Sequence, residues 1–197
     1  MMQDSSAQKR SFELKPPHLP TTKEAALEER NFVCVKYNNI DFATRLKDYP
    51  YNVACKIQFV SFVNSIDSTE TQERKVNDSL PVLNDTVCYS RLNEVRTLTH
   101  AEIDLLSDIV YNYGYKGPVS FVAVSNCYIP RNAILFLDCS GKLLEFIEIC
   151  FDCERMRESS EKVSLGEVCE QKFNMVKDLF RKVGIEYGVT RGMTGSE

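Results

Sequence analysis

The chain has 197 residues, 43% of them hydrophobic, with 11 Phe, 9 Tyr, no Trp and a net charge of −4. That suits one domain with a sizeable core. Scattered basic residues exclude the electrostatic footprint of a nucleic-acid binder, and no apolar run approaches the roughly 20 residues of a membrane-spanning helix. The first 15 residues lack the apolar core of a secretory signal, so the chain as written reads as cytoplasmic, and as exported if it is a mature or truncated form. The Asn-x-Ser/Thr sites at Asn77 and Asn84 gain meaning only on export.

Residues 1–22 are polar, carry Pro16, Pro17 and Pro20, and read as a disordered or extended tail. A single α+β domain is expected over 23–188, with a disordered tail over 189–197. A short helix is predicted over 23–30 and a strand over 32–37. The alternation of Val53, Cys55, Ile57 and Phe59 with Lys56 and Gln58 predicts a strand over 52–63. Residues 65–79 are polar and aperiodic, as in a surface loop. A strand is expected near 86–95.

The clearest helix of the first half begins at Thr99-His-Ala-Glu102, a capping box with Leu98 placed to staple against Ile103. Ile103, Leu106, Ile109, Val110 and Tyr113 keep helical spacing up to a stop at Gly114. An apolar strand follows over 119–124. Residues 132–138 and 142–149 then form a hairpin around Cys139-Ser140-Gly141. Both arms are apolar at nearly every position, as in central strands. Residues 154–162 read as a polar loop. A second capping box, Ser164-Leu-Gly-Glu167, predicts a final helix ending at Gly184 with Cys169, Phe173, Val176, Phe180 and Val183 on its buried stripe. The sum is an α+β fold, a mainly antiparallel β-sheet with two or three helices packed on one face.

Four of the eight cysteines, Cys127, Cys150, Cys153 and Cys169, fall in the C-terminal part, the middle two as Cys-x-x-Cys. If Asp138 faces Lys142, hairpin partners sum to about 280. Extended past Pro130, that register sets Cys127 opposite Cys153 with Cys150 close by, and Cys169 points inward from its helix. Three chemistries compete for this end of the sheet. Buried packing thiols, or disulfides such as Cys127–Cys153, rank first. A structural zinc held by Cys127, Cys150, Cys153 and Cys169 is the second, although one knuckle and two single cysteines are a weak zinc pattern. A thiol–disulfide redox site is the third. It is disfavoured because Cys150 ends a strand rather than starting a helix, among Glu148, Asp152 and Glu154. Cys34, Cys55, Cys88 and Cys139 read as core or turn residues without partner spacing.

Only His18 and His100 are present, which argues against histidine-based catalysis or metal binding. No Gly-rich phosphate loop occurs. Glu145 and Glu148 lie on opposite faces of one strand and cannot act as an acid–base pair. Glu148 is read as exposed at a strand end. Arg131 pairs with Asp152 or Glu154 in preference to binding an anion. Tyr111, Tyr113 and Tyr115 form an aromatic patch at a helix end, read first as core packing and second as a partner-facing surface.

The segments Cys127-Tyr-Ile-Pro-Arg-Asn-Ala-Ile-Leu-Phe136, Phe146-Ile-Glu-Ile-Cys-Phe-Asp-Cys153, Cys169 and Gly184-Ile-Glu-Tyr-Gly188 resemble a family of small, uncharacterised bacterial proteins. Leu98–Gly114 resembles the same group, so the likeness covers residues 86–188. Some members carry export or lipoprotein signals, and the resemblance implies no activity, cofactor or site residue. The expectation is a non-enzymatic binding or interaction protein with a protein as one candidate partner, no nucleic acid and a structural cysteine cluster. The alternatives are a four-cysteine zinc module and a redox protein.

Overall fold

The computed structural model describes residues 20–64, 79–120 and 127–192. Most of the predicted N-terminal tail, nearly all of the 65–79 loop and most of the 119–124 strand lie outside those residues. In chain order the elements are α1 (Thr22–Phe32), β1 (Cys34–Lys36), α2 (Phe42–Arg45), β2 (Lys56–Phe62), β3 (Val82–Leu83), β4 (Thr86–Val87), β5 (Leu92–Thr97), α3 (His100–Asn112), β6 (Tyr113–Tyr115), β7 (Asn132–Leu137), β8 (Leu143–Cys150), β9 (Arg155–Glu158) and α4 (Lys172–Lys182). They form an α+β fold around one five-stranded antiparallel sheet of order β5-β2-β7-β8-β9. Two small two-stranded sheets, β1-β6 and β3-β4, complete it.

Alternation along the three central strands builds two cores. Ile57 and Phe59 of β2, Ile134 and Phe136 of β7, and Ile147 and Ile149 of β8 meet α3 and α4 through Leu106, Ile109, Val110, Phe173, Val176 and Phe180. Phe59 stacks on Phe180 with ring centroids 3.8 Å apart. The interleaved residues Val60, Phe62, Ala133, Leu135, Leu137 and Leu143 pack on the opposite face with Leu80 and Val87. Apolar cover on both faces explains why β7 is buried at every position.

The Thr99–Glu102 capping box is present, with the Thr99 hydroxyl accepting from the Glu102 amide and the Glu102 carboxylate accepting from the Thr99 amide. The Cys139–Gly141 turn also forms, with Gly141 at φ +89°.

Several expectations are corrected. Residues 52 and 53 lie in a turn, 54 and 55 are irregular, and β2 starts at Lys56. Helix α3 stops at Asn112 because residues 113–115 become β6, paired with β1 from Lys36↔Tyr113 to Cys34↔Tyr115. The loop predicted over 154–162 contains β9, which pairs with β8 from Ile147↔Glu158 to Cys150↔Arg155. Its Arg-Met-Arg-Glu sequence hides the strand because an edge position needs no apolar period and favours charge.

The second capping box does not start a helix. Gly166 sits at φ +72° with its amide donating to Ser164 Oγ, and Glu167 turns away to accept from the Tyr115 amide at 2.8 Å. The chain stays irregular until α4 begins at Lys172, so Cys169 precedes the helix. At the other end, Val189 is buried in the core instead of opening a tail.

Candidate functional site

Among the described residues, two places gather chemistry-bearing side chains. The first is the cysteine end of the sheet. Cys150 closes β8, and the 151–154 turn carries Cys153 back beside it. Cys127 arrives on the segment leading into β7 and pairs with Cys153 at disulfide distance, Cα atoms 5.5 Å apart. The β7–β8 register sums to 281 at Asn132↔Ile149 and to 280 at Leu137↔Leu143, after an irregularity at Phe136/Leu137. The one-residue slip still leaves Cys127 and Cys153 in reach of each other. The Sγ atoms of Cys127, Cys150 and Cys153 all lie within 4.8 Å of one another, Cys127 exposed and the other two buried.

Cys169 is not part of this group. It pairs with Cys34 at disulfide distance, Cα atoms 5.0 Å apart. The cause lies in the irregular approach to α4: the Glu170 amide donates to the Phe32 carbonyl at 2.9 Å and the Cys34 amide to Gln171 Oε1 at 2.8 Å, fixing residues 169–171 against β1. The expected four-sulfur cluster of Cys127, Cys150, Cys153 and Cys169 is therefore split. With Cys127 bonded to Cys153 and Cys169 to Cys34, Cys150 is the one thiol left at the cluster, and the donor set of a tetrahedral zinc is not assembled. A third pair, Cys55 and Cys139, joins the start of β2 to the β7–β8 turn with Cα atoms 5.0 Å apart. Cys34, Cys55 and Cys139 thus have partners that spacing in the sequence did not reveal. Cys88 and Cys150 are free.

Around the thiols, Arg131 is buried and pairs with Asp152 at 3.1 Å, one of the two partners expected from the sequence. Glu148 is fully buried rather than exposed. It accepts from Arg157 Nη2 at 2.5 Å and from the Leu80 amide at 3.3 Å, with the Tyr128 hydroxyl 3.4 Å away. Burial and the Glu148 charge push the Tyr128 phenol upward. Glu148 is thereby a satisfied structural carboxylate between β8, β9 and the second core.

The second place is a cavity of about 490 Å³. Its walls come from the segment after β1 (Tyr37, Asn38, Ile40), the α2–β2 connection (Asp48, Tyr49, Pro50, Tyr51), the end of α3 (Val110, Tyr111) and the 162–167 segment. The α2–β2 connection is held in place from α2, where buried Arg45 pairs with Asp104 and lies 3.2 Å from Asp108. Tyr51 forms the floor, its ring centroid 5.5 Å from Phe136 and 5.9 Å from Tyr111.

Glu145 lies behind this wall. Its carboxylate accepts from Tyr49 Oη at 2.7 Å, from Ser160 Oγ at 2.9 Å and from Ser159 Oγ. Burial pushes Glu145 up, but the three hydroxyl donors and nearby Lys162 outweigh it and hold the carboxyl below its ordinary value. The same hydrogen bond lifts the Tyr49 phenol to about 12, while burial and the charge of Asp48 lift Tyr111 to about 12. Burial and Glu167 also raise Tyr37. The cavity therefore presents neutral phenols and two carboxylates, Asp48 and Glu167, against the ammonium of Lys162.

Of these wall residues, the sequence had singled out Tyr111, as part of an aromatic patch. Tyr37, Tyr49 and Tyr51 come from loops whose meeting depends on tertiary packing, and the closely spaced Tyr49-Pro50-Tyr51 was the one local signal available. No family model, curated protein or solved structure matches this chain.

Among the described residues, no helix is long and apolar enough to cross a membrane.

Proposed function

We propose that this domain is a non-enzymatic binding module of an oxidising compartment, and that its tyrosine-walled cavity receives an organic ammonium group. The observation that carries the reading is the cavity itself: about 490 Å³, faced by Tyr37, Tyr49, Tyr51 and Tyr111 with Asp48 and Glu167 among the lining. Tyrosine faces attract a cation through their quadrupole, and the two carboxylates of Asp48 and Glu167 outnumber the one opposing ammonium of Lys162 in the same lining. The phenols are neutral under ordinary conditions, as unperturbed tyrosines already are, and act as π-faces and hydrogen-bonding groups.

Three cysteine pairs at disulfide distance support the compartment. Such pairs persist where the surroundings are oxidising and are rare in the reducing cytosol. They also suit a binding role, because the β1 segment that supplies Tyr37 is held next to Cys34, whose partner Cys169 anchors the 162–167 wall.

The ammonium has two sources, a free small molecule or a lysine side chain of a protein partner. Titration calorimetry with an alkyl-trimethylammonium and with a short lysine-containing peptide separates them. Saturable binding of one probe, weakened about tenfold or more by Tyr37→Ala and by Asp48→Asn, is the expected result. Absence of saturable heat with both probes, or equal affinity in the Tyr37→Ala protein, overturns the reading.

A further inference from the structure

The geometry points to an internal thiol–disulfide exchange site at Cys127, Cys150 and Cys153, in which buried Cys150 releases Cys127 as an exposed nucleophile toward disulfide-bearing partners. Cys150 is a free thiol whose sulfur lies within 4.8 Å of both sulfurs of the Cys127–Cys153 pair. A thiol held beside a disulfide has the proximity that exchange requires, with no encounter step.

The step is redox-neutral. The Cys150 sulfur attacks Cys153 Sγ as its proton is passed on toward the departing sulfur, so that no charge is stored on buried Cys150. The Cys150–Cys153 bond forms, the Cys127–Cys153 bond breaks, and the electron pair leaves on Cys127 Sγ, which takes up a proton. Attack on Cys153 is favoured over attack on Cys127 by where the charge ends. Cys127 is exposed and its leaving thiolate is hydrated, whereas Cys150 and Cys153 are 1% and 7% exposed. Release of Cys153 instead would leave charge in the core, where desolvation strongly disfavours it. The new Cys150–Cys153 bond closes the Cys-x-x-Cys, which then holds the disulfide, and the distant Cys127 carries the released electron pair as the reactive thiol.

The released Cys127, exposed and able to give its proton to solvent, then attacks as the thiolate a disulfide of a second molecule, forming a mixed disulfide and expelling that molecule's other sulfur, which takes up a proton. The substrate class is an accessible disulfide, on a peptide or on a small molecule. This inference does not rest on the ammonium-binding cavity, which lies elsewhere on the fold.

The test uses the full, non-reduced chain with dithiodipyridine as probe, an acid quench and peptide mass mapping. The expected product carries the probe on Cys127 together with a Cys150–Cys153 linkage. Cys88, partly exposed and outside the cluster, serves as an internal labelling standard. Cys150→Ala is expected to lower Cys127 labelling at least tenfold while Cys88 labelling is unchanged, and Cys153→Ala is expected to leave Cys127 labelled without any exchange. Label on Cys150 with Cys127–Cys153 retained, no label at the cluster, or undiminished Cys127 labelling in Cys150→Ala each overturns the inference. Unchanged Cys88 labelling and far-ultraviolet circular dichroism separate a lost exchange from a misfolded variant.

Discussion

Cys34 and Cys169 stand 135 residues apart in the chain, yet their Cα atoms are 5.0 Å apart, joining the first strand to the approach of the last helix. Closing a loop of that length removes much chain entropy from the unfolded state, about 4–5 kcal/mol in the loop-closure treatment and typically about 2–4 kcal/mol when measured. The double variant Cys34→Ser/Cys169→Ser is therefore expected to lose about 2–4 kcal/mol in guanidinium unfolding under non-reducing conditions. A midpoint equal to the parent's would mean that the pair contributes nothing.

Lys172 is fully buried, and its Nζ donates to the carbonyls of Ile109 and Tyr113 at 2.7 Å each. It caps the C-terminal end of α3, where orphan carbonyls and the helix dipole favour a donor. Burial nevertheless pushes its pKa down to about 8 from 10.5, with Glu167 offsetting part of that. Between those two values the unfolded chain holds more protons than the folded one, so stability contributed by this group rises with pH across that window. Lys172→Met should abolish this rise. Urea midpoints measured in both proteins from about pH 7.5 to about pH 10 decide it, and parallel curves would count against the assignment.

Glu145 shows the opposite titration. Its folded carboxyl lies below the ordinary 4.5, because hydrogen bonds from Ser159, Tyr49 and Ser160 outweigh its burial. The stabilisation is complete above the unfolded value and disappears as pH falls through the folded one. Glu145→Gln is expected to cost about 1–2 kcal/mol at about pH 7 and to flatten the acid limb of the stability profile below about pH 4.5. An unchanged acid limb would show that another carboxylate governs it.

Thr99 accepts from the Glu102 amide at the start of α3, and Glu102 returns the contact to the Thr99 amide at 2.7 Å. Thr99→Ala should cost about 1 kcal/mol, readable as a shift in thermal midpoint. Thr99→Asp, which keeps an acceptor at the cap, should recover most of it; equal loss in both variants would place the effect outside the cap.

The elements that could be read in advance are those whose cause is local. The Thr99–Glu102 box, the apolar arms of β7 and β8 and the turn at Gly141 each carry their signal within a few residues. What escaped is decided by distant partners. The 113–115 segment is a strand because β1 lies beside it, and 155–158 is a strand because β8 offers a free edge. Ser164-Leu-Gly-Glu167 satisfied the capping pattern, but Glu167 bonds to the Tyr115 amide instead of folding back, and the helix starts only at Lys172. The candidate site divides the same way. Cys127 and Cys153 were placed together by hairpin arithmetic, which reaches as far as one ladder does. Cys34–Cys169 and Cys55–Cys139 span 135 and 84 residues, and no local register links such positions. The tyrosine cavity, assembled from five separate segments, was equally out of reach of any single window.

The bond between Cys34 and Cys169 also sets how the molecule meets force and proteases. Any single peptide cleavage between those positions leaves two fragments still covalently joined, so a nicked chain migrates whole until it is reduced. Tension applied at the two ends passes through the sulfur bridge and bypasses everything enclosed by it. Sheet, tyrosine cavity and thiol cluster all sit inside that closed ring, shielded from pulling on the flanking chain.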